Sequence, residues 1–123
     1  MSLVFKKRIP RYSKPLRQMA QFLDAKYPIK SEIEVIVYDI PSLTDEILDS
    51  YEHEDETTVE WENYVGIFMP ELGHILLAVN SINATLSQAV LAHEYRHVMQ
   101  YLKDKPRREG PADSFAIHCL IYI

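Results

Sequence analysis

Two histidines and a glutamate in one short run, His93-Glu94-Tyr95-Arg96-His97, are the residues of this chain best placed to do chemistry. On an α-helix, residues four apart stand one above the other, so both imidazoles can reach one ion about 2 Å from each ring nitrogen. Glu94 neighbours His93 but is displaced around the helix. Its carboxylate therefore falls beside such an ion rather than on it, where it can take a proton from a bound water. Zinc suits two imidazoles and a carboxylate with one position left open for water, whose pKa drops toward about 7 when bound. The third ligand must come from elsewhere, and Glu109-Gly110-Pro111-Ala112-Asp113 offers two carboxylates a short way downstream.

These side chains need one helix beneath the histidines and a second element to deliver a carboxylate. Thr85-Leu86-Ser87-Gln88 matches a capping box, and the periodicity predicts a helix from there to about 103, before Pro106. Leu86, Val90 and Tyr101 are expected to face inward with the histidines. A last helix is predicted over about 107–122, starting at Arg107 or at Gly110, because Pro111 is tolerated only in a first turn. Its apolar face is Ala112, Phe115, Ala116, Cys119 and Leu120.

Upstream, Leu16, Met19, Ala20, Leu23 and Tyr27 recur at helical steps over 13–27, with Ser13 as N-cap and Pro15 in the first turn. Strands are predicted over 32–40, 59–69 and 75–79, the last two joined as a hairpin by a turn over 70–74 that exposes His74. A short helix is predicted over 42–51 and an acidic loop from there to about 58, with His53 on the loop and Trp61 and Tyr64 in the following strand. Met1-Ser2-Leu3 has the look of an expression scar and is assigned no element.

Composition bounds the rest. The chain has 123 residues, 47% apolar and 25% charged, which implies one folded domain spanning 1–123. No apolar run is long enough to span a bilayer and no cleavable leader is recognisable, so a cytoplasmic location and no membrane partner are expected. The single cysteine, Cys119, reads as a small core residue. A net charge of -5 hides a division: eight of thirteen Lys and Arg lie in residues 1–30, and none occurs from Ser31 to Tyr95. The basic cluster at Lys6, Lys7, Arg8, Arg11 and Lys14 lacks a nucleic-acid motif, so a nucleic-acid partner is not expected.

The pattern H-E-x-x-H followed by E-x-x-[SA]-D, carried here by His93, Glu94, His97, Glu109 and Asp113, resembles the zinc signature of gluzincin metallopeptidases. The run from Glu109 to Ala116, E-x-x-A-D-x-F-A, with a hairpin strand just before the histidine helix, is similar to the small ImmA/IrrE-type metallopeptidases of phages and mobile elements. The resemblance covers about residues 61–117. It implies an α+β, minimal zincin-like fold: an N-terminal helix, a small and mainly antiparallel sheet, the HExxH helix and a C-terminal helix. It also implies His93, His97 and Glu109 as zinc ligands, Glu94 as general base, and Asp113 as support for a ligand histidine. Asp113 is the competing third ligand, since the gap from His97 to Glu109 is shorter than these families usually show; the carboxylate left over is expected to accept from a histidine Nδ1–H.

The activity implied is hydrolysis of peptide bonds by Glu94-assisted attack of zinc-bound water on a peptide or protein, a regulatory protein included. The strand over 75–79 would be the sheet edge that pairs an extended substrate. The alternative is a catalytically inactive zinc-binding regulatory or protein-interaction module, which His74 or His118 closing a four-ligand site would favour.

Overall fold

Residues 2–7, 9–44 and 65–123 are described by a computed structural model of the chain. They form four strands, β1 (Leu3–Lys7), β2 (Ile33–Tyr38), β3 (Gly66–Met69) and β4 (His74–Ala78), and three helices, α1 (Pro10–Lys26), α2 (Ala84–Leu102) and α3 (Glu109–Tyr122). The helix expected over 42–51, the acidic loop, His53, Trp61, Tyr64 and the first part of the strand over 59–69 fall wholly or mostly outside the described residues.

The sheet order is β1-β2-β4-β3. Pairings β1–β2 and β2–β4 are parallel, and the β3–β4 hairpin is antiparallel. A mixed α/β architecture is thus present, but the expectation of a mainly antiparallel sheet is corrected. The reason is α1, which carries the chain back across the sheet so that β2 enters in the same direction as β1. The expected edge is corrected as well: β4 lies between β2 and β3, and β3 is the outer strand among the described residues.

Ser2 and Leu3, set aside as part of a scar, belong to the fold. Leu3 opens β1 and is buried in the core, and the Ser2 main-chain N–H and hydroxyl both donate to the Asp24 carboxylate of α1. Helix α1 begins at Pro10 rather than Ser13, since a proline with φ preset and no N–H suits a first position. Pro15 consequently lies inside the helix.

Strands β3 and β4 are buried on both faces, which is why they read as apolar runs, whereas β2 alternates buried and half-buried residues. Ile33, Val35, Ile75, Leu77 and Phe68 face the helices, while Ile67, Met69, Leu76 and Ala78 pack with Leu43 on the other side. Each fully buried Leu or Ile contributes roughly 1.5–3 kcal/mol by its removal from water. Tyr95 anchors α2 at the centre of the helical layer, its hydroxyl donating to the Tyr27 carbonyl at the end of α1.

Helix α2 is capped by Asn83, whose Oδ1 accepts the Leu86 N–H at 2.8 Å, two residues before the expected Thr85 box. Its inward stripe is Leu91, Ala92, Tyr95 and Val98. Leu86 and Tyr101, expected inward, are exposed, because the helix is rotated so that the histidines lie at the margin of the buried face. The helix stops at Asp104, which adopts φ 53. The Asp104 and Lys105 N–H groups then donate back to the Tyr101 and Gln100 carbonyls, the reversal that ends many helices. Helix α3 starts at Glu109, so Gly110 and Pro111 fall in its first turn, where proline costs little.

None of the described helices is long and apolar enough to cross a membrane. Cys119 is fully buried, as expected, and burial pushes its thiol up to about 11 from an ordinary 9.0. Only the thiolate reacts, so a two-unit rise lowers its fraction about 100-fold at pH 8. A thiol reagent at pH 8 is expected to label the native chain at least ~100-fold more slowly than the urea-unfolded chain. Equal rates would show that α3 does not stay packed on α2.

Candidate metal centre

One turn of α2 and the first turn of α3 bring the predicted residues together. His93 Nε2 and His97 Nε2 lie 3.1 Å apart. Glu109 Oε2 is 2.7 Å from the first and 3.3 Å from the second, and its Oε1 is 3.2 Å from His97 Nε2. Ligand atoms at the corners of a tetrahedron with arms of about 2 Å are separated by about 3.3 Å; two of the three edges, 3.1 and 3.3 Å, match one small cation closely, and the third, 2.7 Å, is shorter.

The other side of each imidazole decides what these three atoms are. His93 Nδ1 is 2.8 Å from Asp113 Oδ1, and a carboxylate can only accept, so Nδ1 carries the proton. His97 Nδ1 is 2.8 Å from Gln100 Oε1. Gln100 is oriented by the main chain of Arg108: its Nε2 donates to the Arg108 carbonyl and its Oε1 accepts the Arg108 N–H. That network puts the proton on His97 Nδ1 too. With each ring neutral, both Nε2 atoms present lone pairs to a carboxylate oxygen, three acceptors that repel unless a cation or a proton joins them.

Charge agrees with geometry. Burial disfavours the His97 imidazolium and lowers its pKa, against the opposing pull of Gln100, so the ring is neutral as a metal ligand must be. For Glu109, burial acts to raise the carboxyl, but positive charge placed at the two imidazoles, together with Arg107, outweighs it and holds it below its ordinary value.

Glu94 occupies the inner side of the site. Its carboxylate comes within 4.8 Å of both histidines, making His93, Glu94 and His97 a group close enough to hold a metal. Its nearer oxygen is nevertheless 3.9 Å from His93 Nε2, farther than Glu109, which makes Glu109 the better third ligand and leaves Glu94 beside the site. Glu94 is buried, and burial pushes its carboxyl up to about 7 against the pull of Arg107 and His93. The Phe68 main-chain N–H donates to this carboxylate, while its Oε2 has no hydrogen-bond partner among the described residues.

Two residues that the sequence did not single out complete the surroundings. Arg107 reaches 3.7 Å from Glu94 Oε2 and 3.7 Å from Glu109 Oε1. Gln100 supports His97; its signal was an amide one turn beyond a ligand histidine. By contrast, His74 begins β4 and pairs with Glu34 at 2.9 Å, and His118 packs against the Tyr122 ring. Neither belongs to the metal-holding group among the described residues.

The site opens into a cleft of about 550 Å³ between α2 and α3, with Leu86, Val90 and Ile117 among its apolar walls and Gly66 of β3 at its floor. Ala78 N–H donates to the Val65 carbonyl, so by antiparallel alternation the main-chain groups of Gly66 and Phe68 turn outward, away from β4.

Gly66 itself is required by close approach. A Cβ there would lie 2.5 Å from Val90 Cγ1, 3.3 Å from Leu77 Cδ2 and 3.4 Å from Glu94 Cγ. Valine in a helix has essentially one rotamer and cannot swing aside. Gly66→Ala is expected to cost about 1–3 kcal/mol, seen as a melting temperature several degrees lower, and Val90→Ala in the same chain to restore part of it. A Gly66→Ala chain as stable as the parent would show that β3 can withdraw freely from α2.

No family model matches the sequence, and no curated protein or solved structure is detectably similar to it.

Proposed function

We propose that this chain is a zinc-dependent metallopeptidase on a minimal zincin-like fold, with His93, His97 and Glu109 as metal ligands, Glu94 as general base and Asp113 and Gln100 holding the histidines. The observation that carries the reading is the meeting of three bare acceptor atoms whose tautomers are locked from behind. The donor set, two neutral imidazoles and one carboxylate, is that of catalytic zinc sites, and with no fourth protein ligand beside it among the described residues the position toward the cleft suits water or substrate. When bound there, zinc supplies Lewis acidity, polarising the scissile carbonyl and lowering the pKa of water.

The remaining steps belong to the chain's own side chains. An extended peptide pairs with the outward main-chain groups of Gly66 and with the Phe68 carbonyl, the Phe68 N–H being taken by Glu94, which brings its scissile bond over the site. Glu94 takes the proton of the attacking water and hands it to the departing amine. Arg107, on the cleft side of both carboxylates, offers its guanidinium to the carbonyl oxygen as negative charge develops. A regulatory protein with an accessible extended segment is the natural substrate in this reading. The rival reading, an inactive zinc-binding regulatory module, would be favoured by a site closed with a fourth protein ligand, and His74 and His118 lie elsewhere.

The test is a zinc titration of chelator-treated chain followed by cleavage of a diverse peptide library. Uptake of one zinc per chain, with cleavage that stops on chelation and returns with zinc, is the expected result. Zinc uptake without cleavage would move the regulatory module into first place, and no uptake would remove the metal from the account.

A further inference from the structure

Behind the metal centre, on the opposite side of Gln100, the corner between α2 and α3 forms a second concavity of about 460 Å³. Arg96, Lys103, Lys105 and Arg108 line it, and among the described residues no acidic one does. Residues 96–108 hold five of the chain's thirteen Lys and Arg. Arg107 is the one that turns the other way, toward Glu94 and Glu109. Among the described residues no carboxylate forms an ion pair with the other four, in a chain whose net charge is -5.

The groove has features that a merely solvated basic face lacks. The Arg96 guanidinium is held over the Phe115 ring at 5.4 Å, and its buried Nε has no hydrogen-bond partner among the described residues. Arg108 has its main chain clamped by Gln100, so the root of its side chain is fixed. It is also the N-cap of α3 and its side chain makes no cap hydrogen bond, so the guanidinium is not tied to the helix end. Like charges gathered and held in this way repel one another, and a multiply charged anion relieves the repulsion.

From these observations we infer that the α2–α3 corner is a binding site for a compact phosphate-bearing anion. The walls are helix ends and prolines, with no strand edge to pair the backbone of an acidic peptide. No aromatic ring lines the groove to stack a base, which argues against single-stranded nucleic acid. Two arginine forks with two lysines suit phosphoryl oxygens, which accept bidentate and point-charge donors together. The site is separate from the proposed catalytic one and does not depend on it.

Isothermal titration of the metal-free full-length chain with inorganic pyrophosphate, in buffer held at constant ionic strength, tests this. Saturable binding at one site is expected, weakened about tenfold or more in Arg108→Gln and in Arg96→Gln, as the loss of one charge-assisted contact implies. The pair Lys14→Gln, Arg17→Gln on exposed α1 should leave the affinity unchanged. Arg108 is exposed and contributes only its main chain to the fold, so that variant remains informative if Arg96→Gln is unstable. Absence of saturable binding overturns the inference, as does equal weakening by the α1 pair. Binding of a poly-glutamate peptide where pyrophosphate fails would overturn the ligand class.

Discussion

Glu94→Gln is expected to lower peptide hydrolysis by about 10²–10⁴-fold while zinc content stays at the parent's level. The amide has nearly the same shape as the carboxylate, so the packing of α2 against β3 is kept. It cannot take a proton from water, and that is the only function removed. Glu94 stands 3.9 Å from the nearer histidine nitrogen, outside the contacts made by Glu109, so the metal ligands are untouched. kcat/KM and metal stoichiometry on the same preparation give the answer. Parent-level activity would remove Glu94 as the base, and loss of zinc would make it a ligand.

The second large effect concerns affinity for the metal and ranks four residues. His97→Ala removes a ligand outright and should abolish stoichiometric zinc binding, and Glu109→Ala should come next. Asp113→Ala and Gln100→Ala leave the three ligand atoms in place but release an imidazole from its hydrogen-bond partner, which typically costs about 10–100-fold in affinity. Competition with a chromogenic chelator at fixed pH measures all four. If Asp113→Ala proves worse than Glu109→Ala, the two carboxylates exchange roles. If Gln100→Ala has no effect, the His97 tautomer is fixed by something other than the network described above.

Some of this was legible in the sequence because it is local. The four-residue step of His93 and His97 dictates a shared helix face, and the resemblance to gluzincins singled out Glu109 and Asp113 as carboxylates near the histidines. The hairpin, α2, α3 and the burial of Cys119 also follow from patterns within a few residues. What could not be read is what depends on distant partners. The pairing of β1 with β2 is parallel and spans all of α1, so nothing near Leu3 announces it. The position of β4 inside the sheet, rather than at its edge, is a matter of topology that alternation of apolar residues does not encode. Gln100 and Arg107 acquire their roles only when the α2–α3 corner folds back, because both are ordinary polar residues by composition.

The place of β4 between β2 and β3 has a bearing on the order in which the molecule is assembled. As the chain emerges during synthesis, β1, α1 and β2 form a unit of neighbours that can pair early. Strand β3 comes next but its ladder partner is β4, so it has nothing to join until residues 74–78 have appeared. Both histidines arrive later still, and Glu109 and Asp113 last. The proposed metal would therefore be captured after the scaffold is complete, and a nascent chain halted before α3 would hold an unfinished site while the described strands are already paired.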